Sequence, residues 1–140
     1  NFKSYVKISV MQHELDNVIG KVCESDSRYV EDAYFFVLEA LSYTQKKFQR
    51  PKHVSGPELL EGIKEYLMDQ YGPMTLTLLR HWGIKDTNDF GNIVFNLVSN
   101  KILSKTEDDK LDDFKDVYDF HMVFNEEYRG ELNRKISRLR

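Results

Sequence analysis

The chain has 140 residues, enough for one domain with a real core, because folding at that length removes roughly 70% of the unfolded chain's accessible surface. Apolar residues make up 41% and charged residues 31%, with nine Phe, eight Tyr and one Trp to fill the interior. The formal net charge of -3 announces neither a nucleic-acid binder nor an acidic tail, and no apolar run reaches the about 20 residues of a membrane span.

Residues 1–10 carry two lysines and the alternation Val6, Ile8, Val10, without the unbroken apolar region and small-residue cleavage site of a secretory signal. They read as an N-terminal extension ahead of Met11, and residues 11–120 as a single helical domain. Leu15, Val18, Ile19 and Val22 recur at helical spacing and predict a first helix over 11–24. Cys23, at its end, has no second cysteine to pair with, which agrees with a reducing, cytoplasmic setting.

Asp26 or Ser27 is expected to cap a second helix running to about 48, with Ala33, Phe36, Val37, Ala40, Leu41 and Thr44 on one face. Tyr34, Phe35, Leu38 and Tyr43 widen that face, so this helix should be contacted on more than one side. The segment 46–53 ends it with four bases, Lys46, Lys47, Arg50 and Lys52, and no acid. Ser55-Gly56-Pro57-Glu58 then opens a third helix, with a serine cap, a proline in the first turn and a glutamate three residues after the cap. Leu59, Leu60, Ile63, Tyr66 and Leu67 face inward as far as Gly72, and Pro73 starts a short fourth helix that ends at Gly83.

Thr87 or Asn88 is expected to cap a fifth helix that buries Phe90, Ile93, Val94, Leu97 and Val98 and exposes Asn88, Asp89, Asn92, Asn96, Ser99 and Asn100. Asn100 should supply a left-handed exit. Residues 101–105 and 111–114, either side of the polar turn Glu107-Asp108-Asp109-Lys110, read as a short β-hairpin. The expected fold is thus mainly α, with five or six helices and a winged-helix-like C-terminal half carrying one short hairpin. Asp119 can cap a last amphipathic helix over 121–140, where Phe120, Phe124, Tyr128, Leu132 and Ile136 repeat every four residues.

The strings 33–41, 43–47, 53–63, Gly72-Pro73-Met74, His81-Trp82-Gly83-Ile84, Asp89-Phe90-Gly91 and Leu103-Ser104-Lys105-Thr106 occur here in one order. Together they resemble a family of small bacterial proteins of unknown function, first catalogued as a conserved hypothetical group of Planctomycetes and Verrucomicrobia. The resemblance covers about 11–120 and implies a bacterial, cytoplasmic protein. It carries no activity, and residues 1–10 and those after about 124 lie outside it.

No catalytic constellation, metal site or cofactor is expected. His13, His53, His81, His121 and Cys23 fall on different elements with no metal-ligand spacing, and neither a nucleophile elbow nor a phosphate loop occurs. Glu58, Glu61 and Glu65 share one side of the third helix and read as a solvated polar face.

The surface with most binding potential precedes that helix, where Lys46, Lys47, Arg50, Lys52 and His53 lead into Ser55 and Gly56. Unpaired amides and the helix dipole there favour an anion, unless the Glu58 carboxylate already satisfies them. In the C-terminal helix, Arg129, Arg134, Lys135 and Arg138 offer a second contact. DNA readout by the fifth helix is disfavoured, since nine acids against four lysines over 86–120 would face the duplex. The expectation is a non-catalytic binding or adaptor module with a protein partner or a second copy of itself, and no membrane. The alternative is a nucleic-acid-associated regulator using segment 46–53, not the acidic wing, and an enzyme with an unrecognised site ranks third.

Overall fold

The computed structural model describes residues 3–4, 12–50, 53–127, 134 and 136–138, and every structural statement below concerns these. The chain is mainly helical: α1 spans Gln12–Ser25, α2 Glu31–Lys47, α3 Gly56–Tyr71, α4 Thr75–Trp82 and α5 Thr87–Ser99. Two short strands, β1 (Lys3–Ser4) and β2 (Leu103–Ser104), pair antiparallel with Lys3 opposite Ser104 and Ser4 opposite Leu103. A 3-10 turn over Gly72–Met74 leads into α4, another covers Leu111–Phe114, and π-helical turns occupy Met122–Glu127.

The wide apolar face of α2 places that helix at the centre. Ala33, Tyr34, Phe36, Val37, Ala40, Leu41 and Thr44 are all buried, against α3 on one side and α5 on the other. The α2–α3 approach is close because position 62 has no side chain. A Cβ there would stand 2.7 Å from the Thr44 Cβ and overlap its hydroxyl oxygen. That hydroxyl donates to the Ala40 carbonyl at 2.6 Å, so Thr44 is satisfied within its own helix and leaves nothing unpaired at the contact. Phe36 stacks near Trp82 with centroids 4.9 Å apart, tying α4 to the same core.

Local signals were decisive at α3. Ser55 accepts the Glu58 N–H at 3.2 Å and its own N–H donates to the Glu58 carboxylate at 2.9 Å, a complete capping box. α4 stops at Gly83, whose φ of 88° puts it in the left-handed region. The Arg28 carbonyl packs against the α-carbon there, leaving no room for a Cβ.

Other caps differ from expectation. α2 begins at Glu31 after Val30, not at Asp26 or Ser27, because the Asp26 carboxylate is held by the Arg28 guanidinium at 2.7 and 2.9 Å and by Asn96 at 2.9 Å. Glu31 and Asp32 in its first turn instead interact favourably with the positive end of the helix dipole. α5 is capped by Asp86, in a capping box with Asp89. Thr87 is buried, its hydroxyl donating to the Phe114 carbonyl at 2.6 Å and accepting the Val117 N–H at 3.1 Å. After α5 the left-handed residue is Lys101, with φ of 63°, and not Asn100.

The hairpin expected over 101–114 is not formed. β2 takes its ladder partner from β1, and Leu111–Phe114 is a 3-10 turn. The Asp109 carboxylate accepts the Thr106 N–H at 2.9 Å and Asp113 accepts the Lys110 N–H at 3.1 Å. Donors that a ladder needs are thereby claimed by local acceptors, which curl the chain. The turn also lets Phe114 reach full burial against α5, edge-on to Phe95 with centroids 6.5 Å apart.

Asp119 does cap the last segment, accepting the Met122 N–H at 3.1 Å. Phe120, Val123 and Phe124 are buried there, and the Phe120 ring lies 5.9 Å from that of Phe90. Farther along the four-residue repeat, Ile136 is 43% exposed, and Tyr128 and Leu132 lie outside the described residues.

Candidate functional site

The basic connection is shaped by how α2 ends. The Phe48 N–H bonds the Thr44 carbonyl, the Arg50 N–H reaches back to the Gln45 carbonyl at 2.8 Å, and Gln49 takes a φ of 54° between them. This wrap presents Lys47 and Arg50 toward α3. Lys47 pairs with Glu65, and its ammonium lies 5.4 Å from the Phe48 ring centroid. Arg50 donates to Glu58 at 2.9 Å.

The Lys47 bond holds the Glu65 carboxyl below the usual range. At Glu58, burial opposes ionisation, but the Ser55 and Arg50 hydrogen bonds outweigh it and the carboxyl again lies low. Glu61 pairs with Lys64 at 3.2 Å, so each of the three carboxylates on this side of α3 has a cation beside it.

Ser55 and Gly56 sit where the anion site was expected, and Glu58 supplies an internal anion to them. Gly56 is also covered by the acidic 3-10 turn: a Cβ there would stand 3.1 Å from the Asp113 Cβ and 3.2 Å from the Phe114 ring. His53 is half-buried, and its Nδ1 is buried with no hydrogen-bond partner among the described residues. Lys52 lies outside the described residues.

Lys46 is different. It is exposed, has no ion pair among the described residues, and shares a cleft of about 510 Å3 with Ser42, Gln45 and Gln49. Ser42, Gln45 and Lys46 are the i, i+3 and i+4 members of one face of α2, and Gln49 joins them from the left-handed turn beyond the helix end. Sequence reasoning included Lys46 but missed Ser42, Gln45 and Gln49, although the spacing of Ser42 and Gln45 against the buried stripe was available. In the C-terminal segment Arg134 and Arg138 are exposed, whereas Arg129 and Lys135 lie outside the described residues.

The polar face of α5 is not the free surface expected. Asp89, Asn92 and Asn96 are half-buried and bonded to the chain between α1 and α2. The Tyr29 hydroxyl donates to the Asp89 carboxylate and accepts the Asn92 amide at 3.0 Å. Asn96 donates to Asp26 at 2.9 Å and to the Tyr34 hydroxyl at 3.0 Å. Hydrogen bonding from Arg28 depresses the Asp26 carboxyl strongly, and burial raises the Tyr29 and Tyr34 phenols. Only toward its C-terminal end, at Ser99 and Asn100, does this face open fully to solvent.

Among the described residues no group of three or more His, Cys, Asp or Glu side chains is placed to hold a metal ion. Cys23 is half-buried, with burial raising its thiol and its Sγ 3.6 Å from the Tyr29 carbonyl oxygen. No described helix is long and apolar enough to cross a membrane. Comparison of the chain with protein-family models, curated proteins and solved structures returned no match.

Proposed function

We propose that this protein is a non-catalytic binding or adaptor module that grips a protein partner across the outer face of α2 and the connection to α3. The observation that carries the reading is the cleft of about 510 Å3 lined by Ser42, Gln45, Gln49 and Lys46, whose ammonium has no ion pair among the described residues. An acidic peptide segment complements it: a carboxylate meets Lys46, the amides and hydroxyl bond the peptide backbone, and the aliphatic stems take apolar contact. Lys47 and Arg50 follow Lys46 and Gln49 in the chain, and their pairing with Glu65 and Glu58 fixes their positions.

The rest of the proposal follows the sequence. The resemblance to the bacterial conserved hypothetical family supports a bacterial, cytoplasmic protein. A winged-helix-like carboxyl half rests on the succession α3, α4, α5 and β2, with the loop after β2 in the wing position. Nucleic-acid recognition is the weaker reading, because two of the cations it needs already have carboxylate partners and Asp89, Asn92 and Asn96 are engaged within the domain.

The test is affinity purification with the wild-type chain and with Lys46→Glu. A protein retained by the wild type and lost with the variant supports the adaptor reading. Retention of nucleic acid, falling steeply between low and moderate salt, supports the alternative and contradicts the adaptor reading.

A further inference from the structure

A second cleft lies away from α2, where the chain leaving residue 119 crosses the end of α4. Its floor is apolar, built from Leu76, Leu79 and Phe120, and its volume is about 240 Å3. Arg80, Lys85 and His121 stand around that floor. None of these three side chains has an ion pair or hydrogen bond among the described residues.

Local structure brings them together. Arg80 is in the last turn of α4, and the left-handed Gly83 turns the chain so that Lys85 returns to the same opening. The Asp119 cap starts the C-terminal helical turns and sets His121 opposite them.

An adjoining cleft of about 280 Å3 shares Lys85, Phe120 and His121 and adds Asp86, Asp116 and Asp119. Asp86 and Asp119 each accept a backbone N–H, from Asp89 at 3.3 Å and from Met122 at 3.1 Å. Their charge nevertheless remains. A polyanion here would bring several charges close to three carboxylates, whereas a single negative charge on the Arg80 side meets two cations. A guanidinium suits a carboxylate because its fork can donate two parallel bonds. The volume lies below the about 300–1,000 Å3 of drug-sized pockets, so the acid must be short.

We propose that this cleft binds a short apolar monocarboxylate, with its acid group on Arg80 and Lys85 and its apolar part on Leu76, Leu79 and Phe120. A free acid and the carboxyl end of a peptide present the same chemistry. The site is separate from the α2 face and stands whether or not that face binds a protein.

The experiment is an amide NMR titration of the full chain with hexanoate, N-acetyl-leucine, hexanol and inorganic phosphate. The expected result is saturable movement of amides in 80–86 and 119–122 with at least one of the two carboxylates, and none with hexanol or phosphate. Arg80→Gln and Lys85→Gln should each weaken binding at least tenfold. Arg80 and Lys85 are both exposed, so an unchanged melting temperature should accompany the loss. Tighter binding of N-acetyl-leucine than of hexanoate assigns the cleft to a chain end, and the reverse order to a free acid. The proposal is overturned if neither carboxylate saturates, if hexanol acts as well as hexanoate, or if both variants bind undiminished. The contrast between hexanoate and hexanol uses the wild type alone and decides the matter even if a variant fails to fold.

Discussion

Asn96 donates its side-chain amide to the Asp26 carboxylate at 2.9 Å, joining residues 70 positions apart in the chain. The same amide reaches the Tyr34 hydroxyl, so one side chain of α5 fixes both the start of the α1–α2 loop and the first turn of α2. Replacing Asn96 with Ala leaves a partly buried carboxylate and a buried phenol each short of a donor. The expected loss is about 1–3 kcal/mol of stability, measured by urea denaturation. A change within about 0.5 kcal/mol of zero would mean that the network contributes nothing to folding.

Asp26 also predicts an acid response. Its carboxyl is depressed in the folded chain, chiefly by Arg28, so it contributes stability that is fully present above the unfolded value of about 3.9 and is lost as pH falls toward the folded one. Asp26→Asn should therefore destabilise the protein at neutral pH, and the gap between variant and wild type should shrink below about pH 4. Glu58 and Glu65, depressed as well, add to the acid loss in both proteins and cancel in the comparison. Thermal melts at a series of pH values measure the gap, and a constant gap would contradict the assignment.

How much of this was legible follows from the range of each interaction. The α3 capping box was readable because Ser55 and Glu58 are three residues apart and depend on nothing else. The starts of α2 and α5 were misjudged because Asp26 and Thr87, both good caps by type, are claimed otherwise: Asp26 by Arg28 beside it and Asn96 from far along the chain, Thr87 by the distant Phe114 carbonyl. The hairpin failed for the same reason: Leu103 and Ser104 are paired with the N-terminal segment, while Phe114 is buried against α5. At the candidate site, sequence grouped the cations correctly by proximity. It did not show that Lys47 and Arg50 would meet Glu65 and Glu58 across the turn and leave Lys46 without a partner among the described residues.

The contact between α2 and α3 predicts that Gly62→Ala is costly, because the added methyl overlaps Thr44. A destabilisation of about 3 kcal/mol is expected from forced overpacking. Thr44→Gly removes the three atoms nearest the methyl, so the double variant should lose less than the sum of the two single losses. Additive losses in that cycle would show that the cost of Gly62→Ala does not arise at Thr44.

Thr87 bolts the segment after the acidic turn to α5 through two backbone bonds. Thr87→Val keeps the shape and removes both bonds. A loss of about 1–3 kcal/mol is expected, with faster amide exchange at 114–118 than in the wild type. Unchanged exchange in that segment would assign its order to Phe114 packing alone.

Recognition through the outer face of α2 is tested most directly by the hydrogen-exchange footprint of the purified complex with its protein partner. The account predicts protection at residues 42–50, abolished by Lys46→Glu, with exchange across α5 unaltered. Protection centred on α5, with 42–50 exchanging as in the free protein, would contradict it.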